Sequence, residues 1–143
     1  MLDKLLRRSA TLVALIFLFN TGATFFFWYS RIWWFDMPMH FAGGLFISLI
    51  TVFVVEKYLR PRRYIAQDHS VISRYLIIFL CIAIGWEVYE IAVDVYFSTH
   101  TTYLLDSLSD ICFDLAGGAL GLVYIFMRYP FYRQQQETSA ILK

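Results

Sequence analysis

Apolar residues fill four stretches of the chain, residues 9–29, 38–59, 72–97 and 104–129. Each is long enough to cross a bilayer, which takes about 20 residues at 1.5 Å rise apiece. Inside lipid the backbone must satisfy its own hydrogen bonds, and continuous segments of this length do so only as helices. The pattern therefore predicts an all-α, polytopic membrane bundle of four transmembrane helices. Residues 1–132 form the single transmembrane domain, and residues 133–143, with Gln134, Gln135 and Gln136, form a polar tail.

The first span begins with Lys4, Arg7 and Arg8, a start it shares with signal peptides. Its apolar run continues through Phe25, Phe26, Phe27 and Trp28, past the usual length of a cleaved segment, and Thr21-Gly22-Ala23 is a poor cleavage site. A retained helix is the expectation.

Composition sharpens the class. The chain is 59% hydrophobic, 20% aromatic and 16% charged, with a mean hydropathy of +0.59. A soluble fold cannot hide that much apolar surface, and the aromatic content argues against disorder. The net charge of +1 conceals a segregation. Lys4, Arg7 and Arg8 precede the first span; Lys57, Arg60, Arg62, Arg63 and Arg74 surround the connection between the second and third; Arg128, Arg133 and Lys143 follow the fourth. Arg31 alone lies on the other side, a count of eleven against one. Because basic residues accumulate on cytoplasmic loops, both termini are expected in the cytoplasm. Trp28, Tyr29, Trp33, Trp34, Tyr96 and Tyr103 form the opposite, aromatic rim. The basic loop over residues 60–70 reads as a topology determinant. Nothing in the chain supports nucleic acid binding. Cys81 and Cys112 fall out of register for a disulfide and read as buried packing thiols.

The acidic residues carry the chemical information. Seven of the eleven lie at or within the outer half of the membrane: Asp36, Glu87, Glu90, Asp94, Asp106, Asp110 and Asp114. Asp36 and His40 are four apart at the start of the second span. Glu87, Glu90 and Asp94 share one face of the third, and Asp106, Asp110 and Asp114 step by four along the fourth. Counted inward, Glu87 and Asp114 lie roughly 15 Å deep. With antiparallel neighbours, Glu87 faces Asp114, Glu90 faces Asp110, and Asp94 faces Asp106. Gly117, Gly118 and Gly121 on the fourth span, and Gly43 and Gly44 on the second, allow close helix approach beneath these acids. Asp36, before Met37 and Pro38, also reads as an N-cap. Asn20 and Thr24, one turn apart, read as interhelical hydrogen-bonding groups or donors to the acidic pocket. Asp36, His40 and Ala42-Gly43-Gly44 match Asp110, Asp114 and Ala116-Gly117-Gly118 in spacing, which suggests two pseudo-repeated helical hairpins.

Charged groups at mid-bilayer are costly and find partners. Seven acids have only Arg31, His40 and His100 to offset them, so either several carboxyls are protonated or cations occupy the seam. An oxygen-rich set with one or two imidazoles suits Mg²⁺, Mn²⁺ or Ca²⁺ first, and Zn²⁺ or Fe²⁺ if His40 is a ligand. The candidate ligands are His40, Glu90, Asp110, Asp114, Asp36 and Asp106, with Glu87 as candidate general base.

On Asp36-Met-Pro-Met-His40-Phe41, Glu87-Val-Tyr-Glu90, Asp106-Ser-Leu-Ser-Asp110, Asp114 and the glycines at 117, 118 and 121, the chain resembles the VanZ-like superfamily of small bacterial membrane proteins. It is most similar to the YjdF-like inner-membrane branch. The resemblance spans residues 36–121 and implies a multi-pass fold in the bacterial inner membrane with a polar site. VanZ-like members usually carry Asn at the position of Asp114 and Gln at that of Glu90, so this site is the more acidic one. Three functions follow as expectations: a metal-dependent membrane enzyme acting at the outer leaflet on a lipid-linked substrate; a proton- or cation-coupled transport protein, as a homodimer; and a non-catalytic envelope factor that binds a cationic ligand.

Overall fold

The computed structural model describes residues 2–59, 69–97 and 103–128. They form α1 (Leu2–Phe25), a single short turn α2 (Trp28–Arg31), α3 (Asp36–Val54) with a π-helical continuation over Val55–Leu59, α4 (His69–Phe97) and α5 (Tyr103–Arg128). Among the described residues there is no strand. Four helices are long and apolar enough to cross a membrane, over Asp3–Phe25, Asp36–Val54, Ser73–Val93 and Leu105–Ile125. The all-helical, four-span architecture is the one the hydropathy predicts. The tail over residues 133–143, most of the basic loop, and His100 lie outside the described residues.

The first span differs from its expected range. It starts at Leu2 and stops at Phe25, because Phe27 adopts φ 58°, the left-handed region. A residue with a Cβ pays for that conformation sterically, and here it reverses the chain into α2. An aromatic chain holds the turn: Phe26 stacks on Trp28, and both Trp28 and Tyr29 meet Phe35 edge-on at 5.4 and 5.2 Å between ring centroids. The apolar run thus continues through Trp28 while the helix ends.

α3 is the hub. Its most extensive partner is α5, then α1, with α4 closing over α3 and α5 along a narrower seam. The contacts of α5 with α3 rise together in number: Gly117 abuts Phe41 and Leu45, and Gly121 abuts Leu45 and Ser48. The two helices therefore run parallel and in direct contact, with α4 antiparallel alongside both. At Gly44 an added methyl group would fall on the Asp114 backbone, and at Gly117 on the backbone of Phe41. Close approach of this kind is what small residues permit where lipid supplies no hydrophobic drive between helices.

Polarity is segregated along the bundle. At the Lys57 end a core of Leu5, Leu49, Val52, Phe53, Tyr75, Phe79 and Ile125 packs tightly. Within it the Tyr75 hydroxyl donates to Ser48 Oγ at 2.7 Å. At the Asp36 end the buried residues are instead His40, Glu87, Asp110 and Asp114. The outward faces carry large apolar side chains such as Phe17, Leu18, Ile77, Val88 and Leu108. That surface suits hydrocarbon. Cys81 and Cys112 are free and exposed on these outward faces, so the expected buried thiols are not buried. Cysteine is apolar enough to face lipid as readily as a core, and helical spacing does not separate the two environments.

A carboxylate ring around His40

α3, α4 and α5 bring five carboxylates to one imidazole. His40 Nε2 stands 3.6 Å from Asp36 Oδ1, 3.6 Å from Glu90 Oε2 and 3.8 Å from Asp110 Oδ1. Nδ1 stands 3.6 Å from Asp114 Oδ2 and 3.8 Å from Glu87 Oε1. These separations are longer than hydrogen bonds. Neighbouring ligand atoms sit about 2.9 Å apart around six-coordinate Mg²⁺ and about 3.3–3.7 Å apart around Ca²⁺, so the ring matches the larger cation as it stands and closes on the smaller by under ~1 Å. Asp36, His40 and Asp110, and likewise His40, Glu87 and Glu90, each offer donor atoms within 4.8 Å of one another.

The local sequence explains the convergence. His40 is one turn into α3, with Asp36 one turn before it and Gly44 one turn after. On α5 the buried stripe is Asp110, Asp114, Gly117, Gly118, Gly121 and Ile125, so the face that reaches α3 with glycines reaches it with carboxylates one turn higher. On α4 the stripe Tyr75, Phe79, Ala83 and Glu87 steps by four from apolar to acidic. The expected pairs Glu87 with Asp114 and Glu90 with Asp110 are recovered in an altered form: each pair flanks a different nitrogen of His40.

Burial divides the ring. His40, Glu87, Asp110 and Asp114 are no more than 5% exposed, whereas the Asp36 and Glu90 side chains are about one-third exposed and form an open rim. Glu87 Oε1 is fully buried and accepts no hydrogen bond; the Ser107 hydroxyl interacts with the same carboxyl. Five carboxylates against one imidazole leave an acidic excess, and taking a carboxylate out of water costs several kcal/mol unless it is compensated. The buried acids Glu87, Asp110 and Asp114 have the buried His40 as their ion-pairing partner, with Asp36 and Glu90 sharing it at the rim.

Several expected residues fall elsewhere. Asp106 is exposed in the first turn of α5 and outside the ring. Successive four-residue steps drift by about 40° each, so Asp106 is about 80° around from Asp114 and past the edge of the buried face. The side chain of Asp94 lies outside the described residues. Asp36 is not the N-cap: Phe35 occupies the cap position without a side-chain cap, and Asp36 lies inside the first turn. Thr24 Oγ1 donates to the Asn20 carbonyl of its own helix. Asn20 Oδ1 instead accepts from the Tyr29 hydroxyl at 2.6 Å. Two residues near the ring were not anticipated. Ser107 precedes Asp110 by three and Asp114 by seven, a helical spacing that reveals it. Tyr29 was assigned only to the aromatic rim. Its ring lies edge-on to Phe35, the residue before Asp36, and burial first, then the Asp36 and Glu90 charges, push its phenol up to about 12.

The family described as Predicted membrane protein (DUF2238) matches residues 3–130, and the chain belongs to it. No curated protein and no solved structure matches the chain.

Proposed function

Starting from the chain's membership in that family, we propose that it is a divalent-cation-dependent membrane protein acting on a lipid or other envelope substrate at the leaflet next to Asp36. The reading extends the family assignment to kinship with the VanZ-like superfamily and its YjdF-like branch. It sets the protein in a bacterial inner membrane with both termini in the cytoplasm, so that the carboxylate ring opens outward.

The observation that carries the reading is the convergence of Asp36, Glu87, Glu90, Asp110 and Asp114 on His40, with Glu87 Oε1 buried and unpartnered. A ring of oxygens with one imidazole suits Mg²⁺, Mn²⁺ or Ca²⁺, and Zn²⁺ or Fe²⁺ next. Bound there, the cation supplies Lewis acidity to a phosphoryl or carbonyl oxygen. The chain's residues do the rest. Asp36 and Glu90, on the open rim, meet the arriving substrate; Asp110 and His40 hold the floor. Glu87, with a lone pair uncommitted, takes the proton from an attacking water.

A through-path for protons or cations, the transport alternative, has no opening between α3 and α5. Directly beneath the ring the α3 backbone lies against the Asp114 backbone at Gly44, and Gly117 lies against Phe41, which closes that seam.

The reading is tested by thermal unfolding of the purified protein with and without chelator. Wild type is expected to lose stability on chelation and to regain it with Mg²⁺ or Mn²⁺, while Asp110→Asn is expected to respond to neither. A wild-type midpoint that ignores both chelator and added cations overturns the proposal.

A further inference from the structure

The two nitrogens of His40 face unlike surroundings. Nε2 looks at three carboxylates from three helix positions, Asp36, Glu90 and Asp110, two of them on the open rim. Nδ1 looks at Asp114 and Glu87, both buried. On the Nε2 side a cation entering from water has the rim to approach by and the mutually close donors of His40, Asp36 and Asp110, with Glu90 3.6 Å from the same nitrogen. On the Nδ1 side it has three donors and no rim. We infer that Asp114 is a positioning residue: its carboxylate faces His40 Nδ1 at 3.6 Å and, as the ring contracts on a divalent cation held at Nε2 with Asp36, Glu90 and Asp110, accepts the Nδ1–H. The inference rests on the cation-binding reading above and assigns Asp114 a place outside the ligand set.

Three features support this division. Histidines that bind metals almost always donate the other ring N–H to a carboxylate, carbonyl or water, which fixes the tautomer and the ring orientation. Asp114 Oδ2 is the nearer of the two acceptors at Nδ1, at 3.6 Å against 3.8 Å for Glu87 Oε1. And Asp114 is anchored to α3 through its main chain. Its main chain lies against Gly44, one turn beyond His40 on α3, and its other oxygen, Oδ1, faces Gly43. The contact that sets the α3–α5 distance therefore also sets the distance from Asp114 to the imidazole. Glu87 keeps one oxygen, Oε1, without a hydrogen bond, which is what a proton acceptor requires.

The test uses the full-length protein in detergent, with Mn²⁺ binding for affinity and Cu²⁺ as a probe of imidazole coordination by electron spin echo envelope modulation. The modulation arises from the ring nitrogen remote from the metal and reports its hydrogen bonding; His40→Gln identifies the signal. Asp110→Asn is expected to lose stoichiometric Mn²⁺ after desalting. Asp114→Asn is expected to keep one cation per chain with affinity about 10–100-fold weaker and to shift the remote-nitrogen coupling, with Asp114→Glu restoring it. If Asp114→Asn abolishes binding as fully as Asp110→Asn, or leaves the remote nitrogen unchanged, the positioning role is wrong while the cation site stands. If wild type retains no Mn²⁺, the cation-binding reading fails and this inference falls with it.

Discussion

At His40 five acidic side chains meet one base, and the consequences reach the residues around them. Tyr29 lies outside the spans, and its phenol is raised to about 12 by burial, Asp36 and Glu90 in that order. The neutral phenol is the favoured form in the folded protein, so the stabilisation is complete below the ordinary tyrosine pKa of about 10. It is lost as pH climbs from there through 12. In Asp36→Asn the Tyr29 titration, followed by NMR of a labelled tyrosine ring carbon, is expected to move down towards the ordinary value; an unmoved titration would separate Tyr29 from the rim. At the other end of the bundle, Tyr75→Phe removes the 2.7 Å bond to Ser48. Hydrogen bonds between transmembrane helices average about 0.6 kcal/mol, so unfolding of that variant in detergent is expected to show a loss of this order. The ring position of His40 was legible from its four-residue spacing to Asp36. That it shares a site with acids of α4 and α5 was legible from their common depth; that its ring stands between the Glu87–Asp114 and Glu90–Asp110 pairs was not, because sequence spacing orders residues within a helix and says nothing of where a neighbour's side chain ends.

Among the elements, α3 and α5 set the geometry through their glycines. Gly44 sits on the Asp114 backbone, whereas an added methyl at Gly22 on α1 meets nothing within 4 Å. Gly44→Ala is expected to force α3 and α5 apart at a cost of about 1–3 kcal/mol and to weaken cation binding with it. Gly22→Ala is expected to be stabilising by about 0.4–1 kcal/mol, since it only narrows the unfolded chain. Equal effects of the two substitutions in chemical unfolding would refute the tight α3–α5 contact. The four spans could be read from hydropathy because length and apolarity are local properties. Their ends could not: Phe25 to Trp28 is apolar without interruption, yet the left-handed turn at Phe27 ends α1 there. Asp106 shows the same limit on α5, where a four-residue repeat starts on one face but drifts off it within two turns.

In the whole molecule, apolar packing and acidic chemistry occupy opposite ends of one bundle, and large apolar side chains dominate the outward faces of the four spans. Four crossings return the chain to the side on which it began. Reporter fusions at either terminus are expected to give the cytoplasmic signal, and a periplasmic signal from either would contradict the proposed orientation. The more consequential property is the charge that the ring gathers without a matching number of basic groups. Such a ring is held together most simply by an ion from outside the polypeptide. The decisive measurement is elemental analysis of the full-length protein after chelation, reloading with Mn²⁺ and gel filtration. The expected result is one divalent cation per chain in wild type and none in Asp110→Asn. A metal-free wild-type protein that remains folded would contradict it.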